Sequence, residues 1–160
     1  MEDVKEQMTE TPAATTERKG MSDRTRIISL IIGDLIVFLV FAAIGRRSHG
    51  EAAGLDSLLQ IVLTAAPFAA GWFVVAPFTG AFRRGLENQP GKMLRFTLLS
   101  WVAGWIAGFI FRGIFVDYAV PPLTFAIVSF LSNAVFLLIW RLPFAWIVRT
   151  MQSKRESKTI

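Results

Sequence analysis

The chain has no cysteine, one histidine and one tyrosine among 160 residues. With no cysteine there are no disulfides, zinc–thiolate sites, iron–sulfur clusters or thiol nucleophiles. One histidine leaves a transition-metal site poorly supplied with ligands. The sequence also lacks a phosphate-binding loop of the G-x-x-x-x-G-K-[ST] type, a zincin helix, a G-x-S-x-G elbow and a dinucleotide fingerprint. No cofactor and no catalytic set is expected. Acidic residues are few, at 12 against 17 Lys and Arg, so the excess positive charge calls for an account.

What the chain has in quantity is apolar surface. Hydrophobic residues make up 53% of it, more than one small soluble domain can hide, so lipid is the expected solvent. Four apolar runs stand out: Ile27–Ile44, Leu58–Phe78, Met93–Phe111 and Leu123–Trp140. A helix rises about 1.5 Å per residue and a hydrocarbon core is about 30 Å thick, so each run is long enough to span. None alternates polar and apolar residues as barrel strands do. Helices close their own backbone hydrogen bonds, which lipid cannot satisfy. The connections are short and punctuated by Gly and Pro, so neighbouring helices run antiparallel. The expected fold is all-α: a four-helix transmembrane bundle, up-down-up-down.

Charge sets the expected orientation. Only Arg46, Arg47 and Arg112 fall in the two connections on one side; the other fourteen Lys and Arg lie in the tails and the middle connection. The positive-inside rule then places both termini in the cytoplasm, in a multi-pass protein of the inner (cytoplasmic) membrane. The high pI becomes a topology signal and a contact for lipid headgroups, not a nucleic-acid footprint. Residues 1–23 read as a disordered tail, with Met21 an alternative start. Residues 24–149 form the membrane domain and 150–160 a basic tail. A signal peptide is not expected. Pro143 should stop or kink the fourth helix, leaving Trp140, Arg141, Trp146 and Arg149 as an interfacial anchor.

The candidate site begins with Asp34, a carboxylate inside "IIGDLIVFLVFAAIG". An acid within a span is costly and faces its sister helices or a cavity. With Ile27, Phe78, Met93 and Trp140 taken as the inner boundary, Asp34, Gly71, Ser100 and Asn133 fall at one level, roughly 10 Å in. Asp34, Ser100 and Asn133 are therefore expected to group, with Ser129 and Ser132 near them. The group reads as a proton or cation site of a small transporter or channel-like subunit. The alternative is a hydrogen bond that fixes helix packing in a non-catalytic accessory or lipid- or partner-binding protein.

Three further features carry expectations. Ser100, Gly104, Gly108 and Arg112 recur every four residues, a small-residue stripe that lets helix backbones approach. Its partner, in this chain or a second copy, is open. Pro67 should kink the second span. The outer connections hold Arg46, Arg47, Ser48, His49, Glu51 and Arg112, which read either as an anion or acid–base site or as loop salt bridges, Arg46 with Glu51 and Arg112 with Asp117. The expected partners are membrane lipids, with a homo-oligomer or another membrane protein beside them.

"GDLIVFLVFAAIGRRSHG" followed by "GWFVVAPFTGAFR" resembles the membrane proteins of domain of unknown function family 3054, over about residues 24–149. The positions that carry the resemblance are Gly33, Asp34, Gly45, Arg46, Ser48, His49, Gly71, Trp72, Pro77 and Gly80. The resemblance implies a small multi-pass membrane protein without an assigned activity.

Overall fold

The computed structural model describes residues 21–48 and 55–157. They form four long helices: α1 Asp23–Ser48, α2 Leu55–Thr79, α3 Pro90–Arg112 and α4 Leu123–Glu156. Each is long and apolar enough to cross a membrane. A 3-10 turn, Leu86–Asn88, lies between α2 and α3, and a π-helical turn, Gly113–Asp117, follows α3. The expected all-α bundle is what forms.

The polar side chains of the spans are gathered inside a largely apolar core, and the outer face is apolar. Ile28, Ile32, Ile36, Val40 and Ile44 line the outward side of α1, and Leu99, Val102, Ile106 and Ile110 that of α3. Asp34, Thr97, Ser100, Ser129, Asn133 and Arg141 are buried. That distribution suits a lipid exterior: polar groups gain by meeting one another, and apolar groups lose nothing at the surface. On α4 the buried residues are Ala126, Ser129, Asn133, Leu137, Arg141, Ala145 and Val148. Steps of three and four make them one continuous stripe.

The most extensive helix contact joins α2 and α3, and its cause is the glycine stripe. A Cβ at Gly71 would run into the backbone of Gly104 and Gly108, and one at Gly108 would press on the Phe68 Cα. The small-residue face of α3 is thus filled by α2 of the same chain. Phe38, Phe41, Phe68, Trp72 and Trp101 fill the space left beside it, with tilted ring pairs such as Phe38–Trp101 at 5.7 Å between centroids. Trp101 and Trp105 are held by α4: their indole N–H groups donate to the Phe130 carbonyl and to Ser129 Oγ.

None of the prolines within these helices ends its helix. Helix α2 runs unbroken through Pro67 and Pro77, and α4 through Pro143 to Glu156. Pro143 is exposed, so its ring faces outward and the helix continues past it. This lengthens α4 well beyond Trp140. That residue is therefore interior to the helix, and it packs beside Gly33 of α1 and not level with the start of that helix's apolar run.

Candidate functional site

Asp34 is buried, as the cost of a lipid-facing carboxylate requires, but its partners are not those expected. Arg141 of α4 takes both oxygens, Nε to Oδ1 at 2.9 Å and Nη2 to Oδ2 at 2.5 Å. The Trp72 indole of α2 donates to Oδ2 at 2.9 Å. Both charged side chains are 0% exposed. The planar guanidinium matches the carboxylate fork, the geometry that makes such pairs strong in low dielectric.

Arg141 has a third hand. Its Nη1 donates to the Ala81 carbonyl at 2.9 Å and sits 3.9 Å from Met93 Sδ. Its guanidinium carbon lies 4.9 Å from the centroid of the Trp72 ring and 5.0 Å from that of Phe82, inside the range of cation–π attraction. One side chain thus ties α4 to α1, α2, the segment after α2 and the start of α3.

The local backbone explains how each group gets there. Gly80 adopts φ +90 and turns the chain out of α2, which brings the Ala81 carbonyl inward. Gly33 leaves room for the Trp140 indole, which a Cβ would overlap. Successive residues of α1, Gly33 and Asp34, therefore meet successive residues of α4, Trp140 and Arg141. Four positions that carry the family resemblance serve this one contact region: Gly33, Asp34, Trp72 and Gly80.

Ser100 and Asn133 lie elsewhere in the core. Ser100 Oγ accepts from Thr79 Oγ1 at 2.6 Å, joining α2 and α3. The Asn133 amide donates to the Ser129 carbonyl one turn back at 2.9 Å. Among the described residues, Asn133 Oδ1 and Thr97 Oγ1 are buried without a hydrogen-bond partner. The level shared by Asp34, Ser100 and Asn133 dissolves because the helices are staggered: Trp140 and Arg141 stand beside Gly33 and Asp34, and Ser100 meets Thr79. The interfacial role given to Arg141 fails for the same reason. A signal for it exists in the sequence: Asn133, Leu137 and Arg141 are four apart and share a face of one helix.

A second arginine repeats the theme one end-turn away. Arg26 of α1 donates to the carbonyls of Phe82 at 3.0 Å and Arg83 at 3.2 Å. It also donates to Asp23 and lies 3.8 Å from Glu87. Arg84 pairs with Asp23 as well. The carbonyls of residues 81, 82 and 83 are thus held by two arginines, and the α2–α3 connection is pinned to α1 and α4.

At the other end, Arg112 makes a bidentate pair with Asp117, at 2.9 and 3.0 Å, and stacks 4.4 Å over the Phe125 ring. This is the pairing expected of a loop salt bridge. Arg46 and Arg47 stand in the last turn of α1. His49 and Glu51 lie outside the described residues, as does the side chain of Ser48. The expected outer cluster and the Arg46–Glu51 pairing therefore fall outside them too. Among the described residues no group of three or more His, Asp and Glu side chains converges as a metal site would need.

Comparison with known proteins agrees with the motif reading. No curated protein and no solved structure matches the chain. A family model, described as Protein of unknown function (DUF3054), matches residues 31–144, which is more than half of the chain and spans the contacts of Asp34, Trp72, Ala81 and Arg141. The chain belongs to the DUF3054 family of multi-pass membrane proteins.

Proposed function

We propose that this protein is a non-catalytic, multi-pass accessory protein of the cytoplasmic membrane, with both termini inside, in which Asp34 and Arg141 are a packing latch. The observation that carries this reading is the saturation of Asp34. Three donors from two side chains occupy its two oxygens. A cation entering there would have to displace a guanidinium already held in two bonds, and would be repelled by that charge while doing so. A transported proton would have to break the same pair in the dry core, leaving Arg141 charged and partly unpaired, at a cost of several kcal/mol. Neither is what a site for repeated loading and release requires.

The orientation rests on fourteen Lys and Arg against three across the two sides, a bias of the kind that sets topology. The accessory role rests on what the bundle presents: a packed aromatic core in which Asp34 is already paired, and an apolar outer face suited to lipid or to another membrane protein.

The reading is tested by flux. The full chain is reconstituted in liposomes carrying an interior pH dye, beside Asp34→Asn protein and protein-free vesicles, under an imposed proton gradient and again under a potassium diffusion potential. The expected result is one decay rate for all three preparations. Flux by the wild-type chain that Asp34→Asn abolishes would overturn the proposal and restore Asp34 as an ion site.

A further inference from the structure

The acids at the Arg26 end of the bundle are already engaged. Asp23 pairs with Arg26 and Arg84, and Glu87 lies beside Arg26. Three neighbouring cations have no such counter-charge: Arg83, Lys92 and Arg95 form no ion pair among the described residues. Lys92 and Arg95 are exposed in the first two turns of α3 and line a groove of about 210 Å³ with Phe96 and Leu99. Arg83 stacks over the Phe96 ring, 5.3 Å from its centroid.

The order along α3 matters. Lys92, Arg95, Phe96 and Leu99 recur at steps of three, one and three, so they share one face. Lys92 opens the groove at the helix start, Arg95 and Phe96 follow side by side, and Leu99 lies roughly 10 Å beyond Lys92 along the axis. A cationic mouth followed by an apolar wall, on the lipid-facing side of a membrane helix, is complementary to one molecule class: a phosphate at headgroup depth with an acyl chain running inward beside it. A peptide or nucleic acid would have no use for the apolar half at that depth.

We propose that the groove on α3 binds one anionic phospholipid, its phosphate between Lys92 and Arg95 and an acyl chain along Phe96 and Leu99. Arg83, anchored on Phe96, closes the cationic side. The site is independent of the reading of Asp34, whose contacts it does not share. It also differs from the general attraction of a basic surface for anionic membranes, which falls off with distance but selects no position.

Native mass spectrometry of the full chain in neutral detergent, with equimolar phosphatidylglycerol and phosphatidylcholine added, tests it. The expected result is retention of one phosphatidylglycerol in preference, lowered at least about tenfold in Lys92→Gln/Arg95→Gln. Arg149→Gln/Lys154→Gln removes the same charge from the far part of α4 and should retain the lipid as wild type does. Leu99→Trp fills the apolar half without changing charge and should also weaken retention. Equal loss in both double variants would reduce the effect to net charge and overturn the proposal. So would undiminished retention in Lys92→Gln/Arg95→Gln. Displacement of the lipid by millimolar inorganic phosphate, with Leu99→Trp inert, would make the groove a free-phosphate site and overturn its assignment to lipid.

Discussion

Arg141 grips Asp34 through two parallel hydrogen bonds across 107 residues of chain, from the fourth helix to the first. The pair joins the first and last helices close to the α2–α3 connection. Neither charge has access to water. Each is tolerable there only because of the other, so the two residues act as one unit.

Removing either partner alone should therefore cost more than the pair contributes. Arg141→Ala strands a carboxylate, and Asp34→Ala strands a guanidinium. About 3–5 kcal/mol of destabilisation is expected for each. The double variant should cost clearly less than the sum, with a coupling of at least about 1 kcal/mol. Unfolding in mixed SDS micelles, followed by circular dichroism, measures all three. Additive losses would show that the two side chains do not act together. Arg141→Lys should fall between wild type and Arg141→Ala, since an ammonium keeps the counter-charge but cannot span both oxygens and still reach the Ala81 carbonyl.

Trp72 makes a narrower prediction. Trp72→Phe keeps the aromatic surface and deletes the N–H that Asp34 Oδ2 accepts. A bond to a charged group is worth about 1.5–3 kcal/mol, and the smaller ring leaves some loss of packing besides. The same unfolding experiment should show a loss in that range in wild type and a smaller one in an Asp34→Asn background. Equal losses in both would assign Trp72 to packing alone.

How far the sequence announces this site depends on which residue is asked about. Asp34 declares itself, because a carboxylate inside an apolar run has no cheap way to face lipid. The four spans and the small-residue face of α3 are equally open to reading, since apolar length and small-residue spacing act locally along the chain, but that α2 fills this face is tertiary information. Arg141 is hidden. It follows an apolar run, precedes a proline and sits beside a tryptophan, the local signature of a membrane-interface anchor. Its place on the buried stripe of α4, in line with Asn133 and Leu137, carries it inside to Asp34. Proline's effect on a membrane helix depends on what surrounds the freed carbonyl, which is tertiary information. Depths counted as if all four runs began level then set Ser100 and Asn133 beside Asp34, when Thr79 and Ser129 are their actual neighbours.

The glycines offer a graded test of close packing. Gly108→Ala places a Cβ about 2.9 Å from the Phe68 Cα, backbone that cannot swing aside, and Gly33→Ala displaces the Trp140 indole. Overpacking of this kind costs about 1–3 kcal/mol. Gly91→Ala meets nothing within 4 Å and should be neutral or slightly stabilising, as alanine favours helix. Thermal melts of the three variants in one detergent should rank them Gly91→Ala, then Gly33→Ala and Gly108→Ala together well below. Indifference to Gly108→Ala would mean that α2 and α3 do not cross at backbone contact.

Topology can be checked without background, because the chain has no native thiol. Ser22, just before α1, and Ser157, just after α4, should lie on one side, and Ala119, between α3 and α4, on the other. Single cysteines at these positions in intact cells, probed with a membrane-impermeant maleimide, should give labelling at Ala119→Cys only. Ser22→Cys and Ser157→Cys should react only after the membrane is permeabilised. The charge distribution makes the sign of this result definite. Translocating the ends would carry most of the Lys and Arg across against the positive-inside bias, while the side holding Ala119 has only Arg46, Arg47 and Arg112 to move. Labelling of Ser22→Cys and Ser157→Cys in intact cells would reverse the assignment while leaving the bundle and its Asp34–Arg141 pair untouched, since that pair depends on helix packing and not on which side of the membrane the helices begin.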